Sequence, residues 1–355
     1  MLLIGLCALS LAPTCGKRRP PLPPLEKVPQ RTEELSGFQR GNQVILIWPA
    51  PVRNAKSGSV QSIRRVDVYR VAEKPTAPLA LTEDQFEARS ILVGSVTYDE
   101  IKKGAPTLTY ADPLELAGQP TRLRYAIRYV NAAGQRAAFS NFFLLEPAAK
   151  VAKPPASLSV RESETSISLS WDAPTANIDD STPVNLLGYN VYRINTDKPQ
   201  TEPKPLNQQL ITVTHFDDKT FKFGEKYTYF VRSVSLGTEA KHVESFDSNR
   251  VTSEPRDVYP PAPPTFPQPS AAPGRISLFW PPNSEPDIAG YLLYRSTDPN
   301  LPLPSWTLLT PEVLTKSTFT DLNVESGKTY YYYLIAVDTA GNKSAASNVV
   351  SETVP

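Results

Sequence analysis

Cysteine is nearly missing from this chain of 355 residues, which has only Cys7 and Cys15, both within the first fifteen positions. No internal disulfide can brace anything beyond them, which excludes the small disulfide-stapled scaffolds. Methionine occurs once and histidine twice, as His215 and His242, so soft-ligand and imidazole chemistry have little to work with. No Gly-rich phosphate loop, HExxH or CxxC is present. An excess of one charge is also lacking. The 37 basic residues nearly cancel 36 acidic ones, for a net charge of +1, so no global field favours nucleic acid. Long apolar runs are missing as well. The best stretch, residues 1–12 (MLLIGLCALSLA), falls short of the ~20 residues a spanning helix needs. These absences argue for a protein that is not an enzyme and holds no cofactor or metal.

Proline is abundant, with 37 residues, about twice its usual share. At that density it belongs to linkers, turns and edge strands, because it removes ladder donors and breaks helices. A four-part pattern also occurs three times. Its first copy is Trp48, Tyr69-Arg70, Tyr110-Ala111-Asp112 and Ser140-Asn141. The second is Trp171, Tyr192-Arg193, Phe216-Asp217-Asp218 and Ser248-Asn249, and the third Trp280, Tyr294-Arg295, Phe319-Thr320-Asp321 and Ser347-Asn348. A period of roughly 100 residues exceeds a solenoid repeat of about 20–50 and suits a self-sufficient small domain.

Strand signals fill each copy. Residues 166–171 (SISLSW) alternate polar and apolar, the mark of a half-buried antiparallel strand. Residues 187–193 (LGYNVYR) read as the next strand, and Tyr227 follows a turn at Gly224 to open another. That position suits a tyrosine corner, in which the hydroxyl bonds back to the preceding crossover. The third copy repeats these features with Trp280, residues 290–295 and Tyr330. A Trp closing strand B, GYxVYR on strand C and G-x-x-Tyr opening strand F resemble the fibronectin type III domain, and the resemblance covers nearly everything after Gly37. It implies an all-β fold of three tandem immunoglobulin-like antiparallel β-sandwiches joined by Pro-rich linkers, at residues 37–147, 151–257 and 262–355. The first copy departs from it. Leu123 occupies the corner position, so the hydroxyl bond cannot form there. An insertion at 73–89 carries Thr82-Glu83-Asp84-Gln85, a capping box, which predicts a short helix at 83–89 between strands C and C′.

Residues 1–14 read as a signal peptide whose apolar stretch has h-region length. Residues 13–16 (PTCG) resemble a bacterial lipoprotein signal, with Ala12 and Thr14 where Leu and a smaller residue are commoner. The resemblance implies a lipid on Cys15, and Gly16 behind it resembles signals sorted to an outer membrane. Residues 15–36 form a Pro-rich tether. Its polyproline II geometry, at ~3.1 Å per residue, makes a semi-rigid stalk. The expected setting is the cell envelope, with a membrane partner through Cys15, no nucleic acid, and a monomer.

Candidate binding chemistry is sparse. Both histidines read as surface residues of the second copy. Acids cluster between strands B and C at Asp179-Asp180 and at Glu285-Pro286-Asp287, but each offers calcium only two or three of the six to eight oxygens it takes. The aromatic run 330–333 alternates faces. With Tyr330 and Tyr332 inward, Tyr331 and Tyr333 point out beside Tyr294 on the neighbouring strand, with Trp306 at the margin. These four are the candidate binding patch, suited to sugar rings or a partner's apolar face. The competing reading makes them cross-strand pairs that stabilise the sheet by ~0.2–1 kcal/mol each. The expected role is a multi-domain spacer or interaction scaffold, and the second reading is a polysaccharide-binding accessory of a secreted hydrolase.

Overall fold

The computed structural model describes residues 29–50, 63–97, 99, 106–115, 121–198 and 203–355. Expectations placed on the signal peptide, on Cys15 and on the tether up to residue 28 lie outside the described residues.

Unit 1 comprises β1 (Ser36–Arg40), β2 (Gln43–Pro49), β3 (Ile63–Glu73), helix α1 (Glu83–Arg89), β4 (Ile91–Thr97), β5 (Thr107–Pro113), β6 (Arg122–Asn131) and β7 (Phe143–Leu145). Unit 2 contains β8 (Ala156–Glu162), β9 (Ile167–Asp172), β10 (Gly188–Asn195), β11 (His215–Asp218), β12 (Tyr227–Leu236), β13 (His242–Glu244) and β14 (Val251–Ser253). Unit 3 contains β15 (Ser270–Ala272), β16 (Arg275–Phe279), β17 (Ile288–Ser296), β18 (Thr307–Leu308), β19 (Thr318–Asp321), β20 (Thr329–Asp338) and β21 (Val350–Thr353). In unit 3 a sheet ordered β15-β16-β19 faces a sheet ordered β18-β17-β20-β21. Unit 1 repeats this as β1-β2-β5 and β4-β3-β6-β7, and unit 2 as β8-β9-β11 facing β10-β12, whose outer edge is split between β13 and β14.

Alternation builds each core. On β2, Val44, Leu46 and Trp48 are buried while their neighbours are not, and Ile167, Leu169 and Trp171 do the same on β9. From the facing sheet come Tyr125 and Ile127, Tyr229 and Val231, and Tyr332 and Leu334. Burying an aromatic of this size, relative to leaving it exposed, contributes about 1.5–3 kcal/mol.

The remaining parts of the thrice-written pattern are polar and join strands. Arg70 donates to Asp112 at 2.6 Å, and the Tyr125 hydroxyl donates to the same carboxylate oxygen at 2.6 Å. Arg193 and Tyr229 meet on Asp218 at 2.6 and 2.8 Å, and Arg295 and Tyr332 on Asp321 at 2.8 and 2.9 Å. Each buried Asp thus ties one sheet to two strands of the other, paired and hydrogen-bonded as a buried charge must be. Ser140, Ser248 and Ser347 accept the backbone N–H of Ile127, Val231 and Leu334 at 3.0, 3.0 and 2.9 Å. The asparagine after each acts as a detached peptide group. Asn141 holds both backbone groups of Leu35, Asn249 those of Leu158 and Asn348 those of Phe266, at 2.7–3.0 Å. In this way the start of each unit is clipped to the segment that leads into its last strand.

Tyr227 and Tyr330 make the corner bond, accepting the N–H of Lys222 and Glu325, each at 3.0 Å. The serine bonds align Ile127 with Val231 and Leu334, which puts the buried Leu123 at the corner position of unit 1. Helix α1 spans the expected residues, and the Thr82 and Gln85 side chains cap each other's backbone reciprocally. Buried Phe86 packs it over Val71, Ala126 and Phe139 on the outer face of the sheet. The irregular segment before α1 has no ladder for its carbonyls. Two buried guanidiniums serve instead, with Arg122 donating to Pro75 and Ala77 and Arg124 to Pro78 and Leu79, at 2.6–3.1 Å. Both also bond Glu73 at 2.9 and 3.0 Å.

The first junction is not a loose link. Arg40 of β1 pairs in parallel with Glu244 of β13, and the Gly41 N–H donates to the Glu244 carbonyl at 2.8 Å. Units 1 and 2 therefore share one seven-stranded sheet, with a path β10-β12-β13-β1-β2-β5.

Candidate functional site

The third-unit aromatics are placed by strand register. Tyr294 lies opposite Tyr333, and Ser296 opposite Tyr331. Tyr330 and Tyr332 point into the core and Tyr331 and Tyr333 to the other face, as the alternation predicts. Their exposure differs from the expectation. Tyr333 is only 3% exposed and Trp306 only 5%, so neither belongs to an open platform. The chain folds back through the turn Leu303–Ser305 and lays Trp306 against Tyr333 at 5.3 Å. The Tyr333 hydroxyl donates to the Leu303 carbonyl at 2.9 Å, and Trp306 Nε1 to that of Leu301 at 3.1 Å. Burial pushes the Tyr333 phenol up to about 12. Tyr294 stacks on Tyr333 with centroids 4.7 Å apart and planes within 2°. Only Tyr294 and Tyr331 retain partial exposure. The patch is thus a cross-strand stack with a lid, the competing reading of the same residues.

The equivalent place is closed in every unit, each time by different means. The strand-C tyrosines Tyr69, Tyr192 and Tyr294 lie opposite Ala126, Phe230 and Tyr333. In unit 1 the small Ala126 leaves room for Phe139, edge-on to Tyr69 at 5.3 Å, and Phe86 of α1 covers it at 5.0 Å. In unit 2 Tyr192 stacks on Phe230 at 4.9 Å, and the Arg232 guanidinium lies over both rings at 4.4 and 5.0 Å. Glu244 then draws Arg232, Tyr192 and Asn190 together beside the junction. Strand alternation assigns the outward face. The covering segments are specific to each unit and distant in sequence, so no local signal announces them.

The other candidates separate. His215 and His242 are exposed on strands of opposite sheets in unit 2. Asp179 accepts from Ser181, whose hydrogen bonds hold its carboxyl below the ordinary range, and Asp180 pairs with Lys153. Asp287 is different. It converges with Asp257 of the second linker and Asp338 at the end of β20, with one oxygen of each within 4.8 Å of the others. Three carboxylates of this kind could supply part of the oxygen shell of a hard cation. Sequence reading found Asp287 alone, because its companions lie thirty and fifty-one residues away. Asn342 already donates to both oxygens of Asp338 at 2.8 Å.

Among the described residues, side chains shape cavities at two places of note. One, of about 330 Å³, lies between units 1 and 2 and is lined by Phe38, Phe143, Leu145, Lys241 and His242 among others. The larger, about 550 Å³, opens at the edge of unit 2 and is lined by Arg193, Lys198, Lys204, Lys222 and Glu225 together with Asn195 and Thr220. Neither was evident from the sequence, since their walls come from strand ends and loops far apart in the chain.

No family model matches the chain. Among curated proteins it is 30% identical over 128 residues to an amylopullulanase of Thermoanaerobacter thermohydrosulfuricus, covering 36% of this chain and 8% of that protein. It is 26% identical over 193 residues to exoglucanase B of Cellulomonas fimi, covering 53% of this chain and 15% of that one. The chain thus spans only a small part of either relative. Among solved structures, the FN1–FN3 domains of chicken CNTN1 cover 92% of this chain and 99% of their own length, at 13% identity and a TM-score of 0.27. In the strand order of its sheets and in its two corner tyrosines, Tyr227 and Tyr330, the chain is similar to tandem fibronectin type III domains.

Proposed function

We propose that this protein is a non-catalytic spacer or interaction scaffold of the bacterial cell envelope, held to a membrane by a lipid on Cys15. The supporting observation is the first junction, where the pairing of Arg40 with Glu244 carries the sheet of unit 1 into that of unit 2 and braces the two units against bending. A braced pair behind a Pro-rich tether sets a distance from its anchor, which a string of loosely jointed domains does not. No helix among the described residues is long and apolar enough to cross a membrane, and the lipid supplies the attachment. One acyl chain binds marginally, whereas the multiple chains of a lipoprotein exceed what stable anchoring takes. Cys15→Ser should move the protein from the membrane fraction to the soluble one and abolish labelling by a fatty-acid analogue. Unchanged fractionation would overturn the anchor.

A second reading is favoured by the two relatives, whose names denote glucan-degrading enzymes. In it the chain is an accessory that sits beside such catalysts without catalysing. Retention on insoluble glucan, measured with the soluble Cys15→Ser form, would support this reading, and elution with a non-binding control on every glucan would reject it.

A further inference from the structure

The cavity at the edge of unit 2 has a charge that the fold does not require. Among the described residues, four cations line it against one acid, Glu225. Lys198 engages that acid at 2.8 Å, and its hydrogen bond, with that of Tyr227, holds the Glu225 carboxyl below its ordinary value. Arg193 is bound to Asp218 from the far side, its guanidinium lying 4.7 Å over the Tyr227 ring. Lys204 and Lys222 are exposed, and neither makes a close ion pair among the described residues, while the charge of Lys222 adds to the field that lowers Glu225.

Unit 3 builds the same corner with other side chains. The corner bond that Lys222 makes through its N–H is made there by Glu325, and the position of Glu225 is taken by Lys328, which pairs with Glu325 at 2.7 Å. At these two positions the charges are exchanged while the backbone task stays the same, so the Lys222 side chain is not needed to make the corner.

We propose that this cavity binds a carboxylate-bearing saccharide, such as a segment of a uronic-acid polymer. Its volume of about 550 Å³ lies in the range of small-ligand sites, roughly 300–1,000 Å³. Lys204 and Lys222 present two separate point charges on flexible stems, which suits carboxylates spaced along a chain better than one compact anion gripped bidentately. Asn195 and Thr220 also line it; they donate to Glu225 and Asp218 at 2.8 Å each, which leaves one Asn195 amide hydrogen and residual lone pairs for a sugar hydroxyl. The proposal goes beyond the spacer reading and holds whether or not Cys15 is lipidated.

The test is calorimetric titration of the soluble Cys15→Ser form with trigalacturonate, maltotriose and inorganic phosphate, at low salt and again with added salt. Trigalacturonate should bind, weaken as salt rises, and lose about tenfold or more in affinity in Lys204→Glu/Lys222→Glu. The exposed pair Lys316→Glu/Lys343→Glu in unit 3 alters total charge equally and should leave binding within about twofold. Circular dichroism melts of both variants would establish that each folds. Equal loss in the two variants would reduce the effect to net charge and overturn the proposal. So would maltotriose or phosphate binding as tightly as trigalacturonate, or no binding at all.

Discussion

The two junctions of the chain join the same fold to itself by opposite means. At the first, β7 ends at Leu145 and β8 begins at Ala156, a link short enough to bring β1 of one unit against β13 of the next. Gln39 fastens the corner, donating to the carbonyls of Gly41 and Ala148 at 2.9 and 3.0 Å and accepting the Ala148 N–H at 2.7 Å. Ala148, Val151 and Val243 add a small apolar cluster beneath it. At the second, β14 ends at Ser253 and β15 begins at Ser270, and prolines deny the intervening backbone the N–H groups a shared ladder needs. That linker is held mainly by unit 3. Ala262 donates to Glu285 at 2.7 Å and accepts from Asn283 at 2.8 Å, while Asn348 clips Phe266. The difference is one of donors and length. A sheet edge becomes a joint where a free N–H of one unit meets a carbonyl of the next, as Gly41 meets Glu244, and stays an edge when the chain arrives as proline.

If the first junction is a joint of this kind, Glu244 is its most consequential residue. It accepts from Asn190, Tyr192 and Arg232 and lies 3.9 Å from Arg40. Glu244→Ala leaves Arg232 with Asp247 alone and should destabilise unit 2 by about 2–4 kcal/mol. In calorimetry units 1 and 2 should melt together in the parent and in two steps in the variant. A single shared transition in the variant would show that the joint does not depend on this carboxylate. Gln39→Ala removes three bonds from a buried side chain and should cost about 1–3 kcal/mol, again separating the two melts. Asn283→Ala, at the second junction, should leave the first pair's shared transition in place.

Acid should imitate the first substitution in part. Burial alone would raise the Glu244 carboxyl, but hydrogen bonds from Asn190, Tyr192 and Arg232 and the Arg232 charge outweigh it and bring it below its ordinary value. Asp247 is lowered in the same way by Arg250 and Arg232 against the opposing effect of burial. A lowered folded-state value means that the stabilisation is fully present above the unfolded carboxylate range of about 4 and is lost as pH falls through the folded value. The shared transition should therefore persist at pH 7 and 5 and split below about pH 4. In Glu244→Gln the contribution of Glu244 to that loss should vanish while that of Asp247 remains. Splitting at pH 5 in the parent would assign the joint to other groups.

Much of this was legible in the chain, and the limits have a common cause. Trp48, Trp171 and Trp280, the corner tyrosines and the capping box at Thr82 announce themselves because their partners lie a few residues away or recur at the same offset. Even the Ser-Asn pairs were visible as a pattern, although their task of clipping Leu35, Leu158 and Phe266 was not. The shared sheet could not be read, because Arg40 and Glu244 are 204 positions apart and neither carries a pairing signal. The burial of Tyr333 and Trp306 was missed for the same reason. Alternation gives the face a side chain points to, while what lies over that face is decided by loops whose course no periodicity encodes.

The smallest effect is expected where the two junctions differ most quietly. The Asn283 side chain donates to the Ala262 carbonyl in an exposed setting and accepts only a long bond, 3.4 Å, from the Tyr291 hydroxyl, so its removal should cost about 1 kcal/mol and leave the melting of unit 3 nearly unchanged. Its consequence should be geometric. With Asn283→Ala the linker is released from one of its fastenings on unit 3, and spin labels at Lys219 and Lys316, both exposed, should report a broader distribution of distances between units 2 and 3. Labels at Glu87 and Lys219, spanning the first junction, should keep their distribution unchanged. If both pairs broaden, the joint between units 1 and 2 is coupled to the linker beyond it. If neither does, the prolines themselves rather than Asn283 hold the second junction, and the two junctions are alike in stiffness though not in the bonds that confer it.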